Sequence, residues 1–134
     1  METETILEKI KAVNARLKAG EPGNITEDTH GSFKCTGYKG QALIDCMNLE
    51  LFGQWGFDEL ADSEVIWKDG KASLAIAHIR VHVGEVSFTS WGQSQVVSDA
   101  QIGDSRKGSV TDGLKKGLAY FSIGNRAFHG LLKK

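Results

Sequence analysis

The chain of 134 residues has little of several things, and each shortage excludes something. It has two cysteines, Cys35 and Cys46, eleven positions apart and without a CxxC. A disulfide scaffold uses more, so both are expected as reduced core residues of a cytoplasmic protein. The single proline, in "AGEPGN", ends a helix rather than marking a proline-rich segment. No apolar run approaches the roughly 18–20 residues of a membrane span, so no membrane association is expected. The opening residues alternate charged and apolar side chains, unlike a secretory signal or a lipidation site.

Catalytic motifs are equally scarce. There is no GxSxG and no HExxH. Gly103 to Ser109 has the glycine spacing of a phosphate loop, but Ser109 stands where that motif needs its lysine. His78 and His82 share a strand face at a separation of roughly 13 Å, too far to hold one metal ion. The expectation is a protein that is not an enzyme and needs no cofactor or metal.

What is present is a polarity. The formal net charge is −1, yet six acidic residues and no lysine or arginine lie between Asp45 and Glu64. From Asp104 onward, seven basic residues stand against two acidic ones. The pattern fits two solvated faces, or a basic surface for a polyanion with an acidic patch that meets a neighbour's basic one.

Ile6, Ile10, Val13 and Leu17 recur at helical spacing and predict a first helix. Residues 19–32 read as a loop and "SFKCTGY" as a short strand. "QALIDCMNLELFG" reads as a second helix, with Ile44, Met47 and Leu51 on one stripe and Gly53 as its cap. "WGFDEL" and "SEVIW" are strands, and Asp69-Gly70 is a two-residue hairpin turn. "ASLAIAHIRVHV" and "VSFTSWGQSQVV" pair across Gly84-Glu85, so that Val81 faces Phe88, Arg80 faces Thr89 and His78 faces Trp91. A last helix runs from about Ser105 to Tyr120 or Phe121, with Val110, Leu114, Leu118 and Phe121 on its apolar stripe. The fold class is α+β: an antiparallel β meander packed against a C-terminal helix, a β-β-β-α core, preceded by an N-terminal helix. One domain is expected over residues 1–134, with helix and loop at 1–30 and the core at 31–130.

The last helix is unusual. It carries Gly108, Gly113 and Gly117, each costing a helix interior roughly 0.5–1 kcal/mol. A close approach of another backbone must compensate, whether the chain's own sheet, a neighbouring subunit or a nucleic acid; stacking of subunits is the expectation, with packing against the chain's own sheet as its alternative. Lys115 and Lys116 lie opposite the apolar stripe, where adjacent ammonium groups suit a string of phosphates.

The run "VTDGLKKGL", followed by Phe121, resembles the most recognisable segment of the Rad52 family of single-strand annealing proteins. "YKGQALIDCMNLELFGQWGFDEL", the hairpin "KDGKASLAIAHIRVHV…VSFTSWG" and "FSIGNRAFHG" are similar to that family's helix, long hairpin and tail. The resemblance covers about residues 31–130 in order. It implies single-stranded DNA binding and annealing without ATP, by a homo-oligomeric ring or arc with DNA in a basic groove. Lys115 and Lys116 would neutralise phosphates, together with Lys107, Arg106, Arg80 and His82. Ala119 stands where the family often has an arginine, which Arg126 would replace. Lys39 would substitute for the basic residue expected near Gln41 or Ala42. Positions near Gly84-Glu85 and Val96–Ser98, used by relatives for an outer DNA site, are not basic here. The partners implied are single-stranded DNA and further copies of the chain; the resemblance identifies no recombinase or single-strand-binding partner. Two other readings stay open: an oligomeric scaffolding protein of the same fold, and a small α+β ligand-binding protein.

Overall fold

A computed structural model describes residues 2–20, 25–28 and 36–125. It is an α+β chain whose antiparallel sheet carries a C-terminal helix on one face, and a helix comes first in the sequence. The chain forms two compact units, one from the residues up to Trp55 with the segment from Leu118 onward, the other from Gly56–Gly117.

In the first unit, α1 (Thr3–Ala19) buries Ile6, Ile10, Val13 and Leu17, the stripe its spacing predicts. Gly20 ends the helix in the left-handed conformation, its N–H returning to the carbonyls of Arg16 and Leu17. α1 packs against α2 (Gly40–Leu51), which buries Ala42, Leu43, Cys46, Met47 and Leu51. Ile44, expected on that stripe, is only half-buried. Arg16 binds Glu50 at 2.8 Å, and Lys9 lies 4.0 Å from the same carboxylate. Asn14 clasps the turn at residues 120–124: its side chain donates to the Ser122 carbonyl and accepts from the Gly124 N–H.

Between α1 and α2 lies a strand pair of which the sequence announces only the second member, within "SFKCTGY". β1 (Thr26–Asp28) runs antiparallel to β2 (Thr36–Tyr38), so part of the expected 19–32 loop is strand. Three residues are too few to display an alternating pattern. The pairing is anchored instead by buried Ile25, whose carbonyl accepts from the Lys39 N–H at 2.7 Å.

The second unit is built on β5 (Lys71–Val83), long enough to serve several partners. β6 (Val86–Gln95) pairs with one edge, while β3 (Trp55–Glu59) and β4 (Glu64–Lys68) also bond to β5. Asp69 and Gly70 both have positive φ, which closes the β4–β5 hairpin in the hand that suits twisted strands. Across the next turn Val81 faces Phe88, Arg80 faces Thr89 and His78 faces Trp91, the register that the Gly84-Glu85 turn predicts. Ala72, Ala75 and Val96 form a small core cluster with Val65 and Ile102.

α3 (Ile102–Ala119) begins after a 3-10 turn at Asp99–Gln101, rather than near Ser105. Its contact with the sheet is made by small residues. Ser105, Ser109, Gly113 and Gly117 recur every fourth position and are buried; Gly92 on β6 lies against Ser109 and Gly113, Ser90 against Gly117, and Ser94 against Gly108. A Cβ on Gly92 would collide with the Ser109 carbonyl oxygen and the Gly113 backbone. One on Gly113 would sit 2.6 Å from Ile79, and one on Gly117 2.5 Å from Val81. The buried Ser90 hydroxyl donates to the Gly113 carbonyl at 2.6 Å, and the Ser105 hydroxyl to the Gln95 carbonyl at 2.9 Å. The helix glycines therefore answer to the protein's own sheet, which corrects the expectation that subunit stacking explains them. Leu114 and Leu118 are buried as their stripe predicts, while Val110 and Phe121 are only half-buried.

Two substitutions check this packing. Gly92→Ala should cost about 3 kcal/mol or more, because the obstruction is backbone that cannot swing aside. Gly103→Ala, whose new methyl would meet open space, should gain about 0.5 kcal/mol from helix propensity. Thermal melts report both, and a Gly92→Ala protein melting like the original would refute the contact.

Candidate nucleic-acid interface

The segment "TDGLKK" is divided between two tasks. Thr111 turns its hydroxyl back to the Lys107 carbonyl within the helix, at 3.2 Å. The Asp112 carboxylate accepts the Gln93 N–H of β6 at 2.9 Å, satisfying a strand donor. Gly113 supplies the close approach and Leu114 is buried. These four residues attach the helix to its sheet or close on the helix itself. The two lysines follow on the flank: Lys115 is half-buried, and Lys116 is exposed with its Nζ 2.9 Å from Asp112 Oδ2. Asp112 thus ties β6 to α3 and orients Lys116 with the same oxygen.

The other expected site residues are spread over the chain. Lys107 is exposed on α3. Arg106 is also exposed, but it donates through Nε to the Ser63 hydroxyl and through Nη2 to the Ser63 carbonyl, so it holds the loop before β4. Arg80 and His82 sit on the sheet face opposite α3, where Arg80 is exposed and the His82 ring lies over Gly56. Lys39 belongs to the first unit, as the residue preceding the first turn of α2. Arg126 lies outside the described residues, as does Cys35; Cys46 is a buried thiol. Glu50 is already bound by Arg16, which removes one carboxylate from the acidic patch expected to meet a neighbour.

The face away from α3 holds a group that sequence reasoning paired but did not place in the site. Trp91 stacks on His78 with ring centroids 3.9 Å apart and planes 3° from parallel. Beside it, a concavity of about 370 Å³ is lined by Glu64, Ile76, Trp91, Gly92, Gln93 and Lys116. A larger open groove of about 850 Å³ lies at the β4–β5 turn, among Lys68, Lys71, Val97 and Asp99. Asp99 there accepts the Ala72 N–H.

Residues 103–109, with the glycine spacing of a phosphate loop, are α-helical. Among the described residues no three histidine, cysteine or acidic side chains gather as a metal site. No described helix is long and apolar enough to cross a membrane. No protein-family profile and no curated protein matches this chain.

The division of labour has a direct test. Asp112→Ala removes both the acceptor of the Gln93 N–H and the partner of Lys116, and should cost about 1 kcal/mol. Lys116→Ala removes an exposed pair and should cost well under about 1 kcal/mol. Equal losses in chemical denaturation would contradict the assignment.

Proposed function

We propose that this chain binds single-stranded DNA and anneals complementary strands without nucleotide hydrolysis, as a member of the Rad52 type acting in the cytoplasm. The observation that carries the reading is the arrangement of "TDGLKK". Within that run Asp112 and Gly113 meet the sheet, Leu114 is buried, Thr111 closes on the helix itself, and the lysines follow on the helix flank. The helix-to-sheet hydrogen bonds come from Ser90, Ser105 and Asp112. Paired cations on a rigid helix suit a phosphate backbone, and they contact it without reading bases. Annealing needs that property, since both strands must keep their pairing edges available.

A few cations per subunit bind weakly. Copies sharing one strand would convert weak contacts into tight binding through effective concentration, so the reading includes a homo-oligomeric ring or arc. The glycines of α3 do not argue for that assembly, and Gly117→Leu would test the intramolecular sheet contact instead. The assembly rests on the resemblance and on this multivalency argument, and native mass spectrometry addresses it. A larger complex on adding oligothymidylate supports it; a monomer with and without DNA overturns it.

For the binding itself, Lys115→Ala with Lys116→Ala should weaken affinity for oligothymidylate while the chain stays folded, as circular dichroism would report. For every phosphate that is no longer neutralised, the plot of log K against log salt should flatten by roughly 0.7. An unchanged affinity and slope would remove the lysine pair from the site.

A further inference from the structure

The open face of the sheet carries the second contribution to binding. β5 and β6 place His78, Arg80 and His82 beside Ser87, Thr89 and Trp91 on the side turned away from α3. Trp91 is 61% exposed although its ring lies parallel to His78 at 3.9 Å. Folding thus buries only part of this indole and leaves apolar surface available for a further contact. The imidazole covers one face of the ring and fixes its orientation, so the other face is a rigid, flat, apolar surface at low entropic cost. Arg80, diagonal to Trp91 across the hairpin, is exposed on the same face, about 7–8 Å away by strand geometry and within reach of a long side chain. The concavity beside the indole leads to Lys116, and Glu64 lines it as well.

We infer that the Trp91–His78 stack is a platform for an unpaired nucleobase, with Arg80 and Lys116 holding the phosphates on either side of it. This rests on the single-strand reading above and deepens it: binding extends beyond the lysine pair to one base per subunit. A base stacks through its π-face, which all four bases share, so the platform recognises unpaired nucleotides without reading sequence. Duplex DNA, whose bases are already stacked, is excluded. Glu64 repels phosphate from its own side of the concavity, which sets the path of the backbone toward Arg80 and Lys116.

The test uses the full chain with Trp55→Phe and Trp67→Phe, leaving Trp91 as the only indole. Adding oligothymidylate should quench its emission, and an abasic strand of equal length should not. In the otherwise unaltered protein, Trp91→Ala should weaken binding of oligothymidylate roughly 5- to 150-fold, the range of base–aromatic stacking, with Trp91→Phe retaining most of it. The abasic strand should bind the unaltered protein and Trp91→Ala alike, since only phosphate contacts remain. If oligothymidylate binds but leaves Trp91 emission unchanged, and the abasic strand binds as tightly, the platform is wrong and the single-strand reading survives. If the unaltered protein binds neither strand, both fall together.

Discussion

Two stretches of backbone meet where α3 crosses β6, and the second unit is organised around that meeting. Gly92 on the strand and Gly113 on the helix leave no room for a methyl group between them. Neighbouring positions on both elements are small as well, with Ser90 and Ser94 on β6 and Ser109 and Gly117 on α3. Such a contact buries little hydrocarbon, so its stability comes from close packing and hydrogen bonds rather than from large apolar side chains. Ser90, Ser105 and Asp112 supply those bonds, each linking helix and sheet. The propensity lost at Gly108, Gly113 and Gly117 is offset by a close contact with the sheet.

That constraint shapes the exterior too. A helix held by its small face must present its long side chains elsewhere, and Lys116 is one of them. Because Asp112 grips the strand and the lysine with one oxygen, the position of the cation is tied to the register of the helix on the sheet. The open face of the sheet is fixed by the same hairpin from the other side. Each cross-strand pair that sends Ile79 and Ser90 toward α3 sends His78 and Trp91 away from it. Aromatic stack and lysine flank are therefore set by one β5–β6 register, not by independent loops.

Much of this is legible in the sequence where a local rule governs. The Gly84-Glu85 turn sets a strand register residue by residue, and the His78–Trp91 pairing follows from counting back from it. The Asp69-Gly70 turn and the apolar stripe of α1 are local in the same way. What is not legible depends on distant partners. A glycine in a helix shows that something comes near, without showing what, so Gly113 fits a neighbouring subunit as well as the chain's own Gly92. The bond from Gln93 to Asp112 joins residues nineteen apart and has no sequence signature. β1 is too short for periodicity and depends on Ile25 and its partner strand. Exposure is hidden in part: the register puts Trp91 on the face opposite Ile79 and Val81, but it does not show whether another element covers that face.

The proposed function requires that two complementary strands pair faster in the protein's presence than without it. Donor- and acceptor-labelled complementary oligonucleotides, mixed with the protein in chelator and without nucleotide, report this directly by energy transfer. The account predicts annealing well above the spontaneous rate, declining as salt rises because phosphate contacts are being screened. Annealing at the spontaneous rate, at protein concentrations that saturate single-strand binding, would contradict it and leave a binding protein that does not anneal.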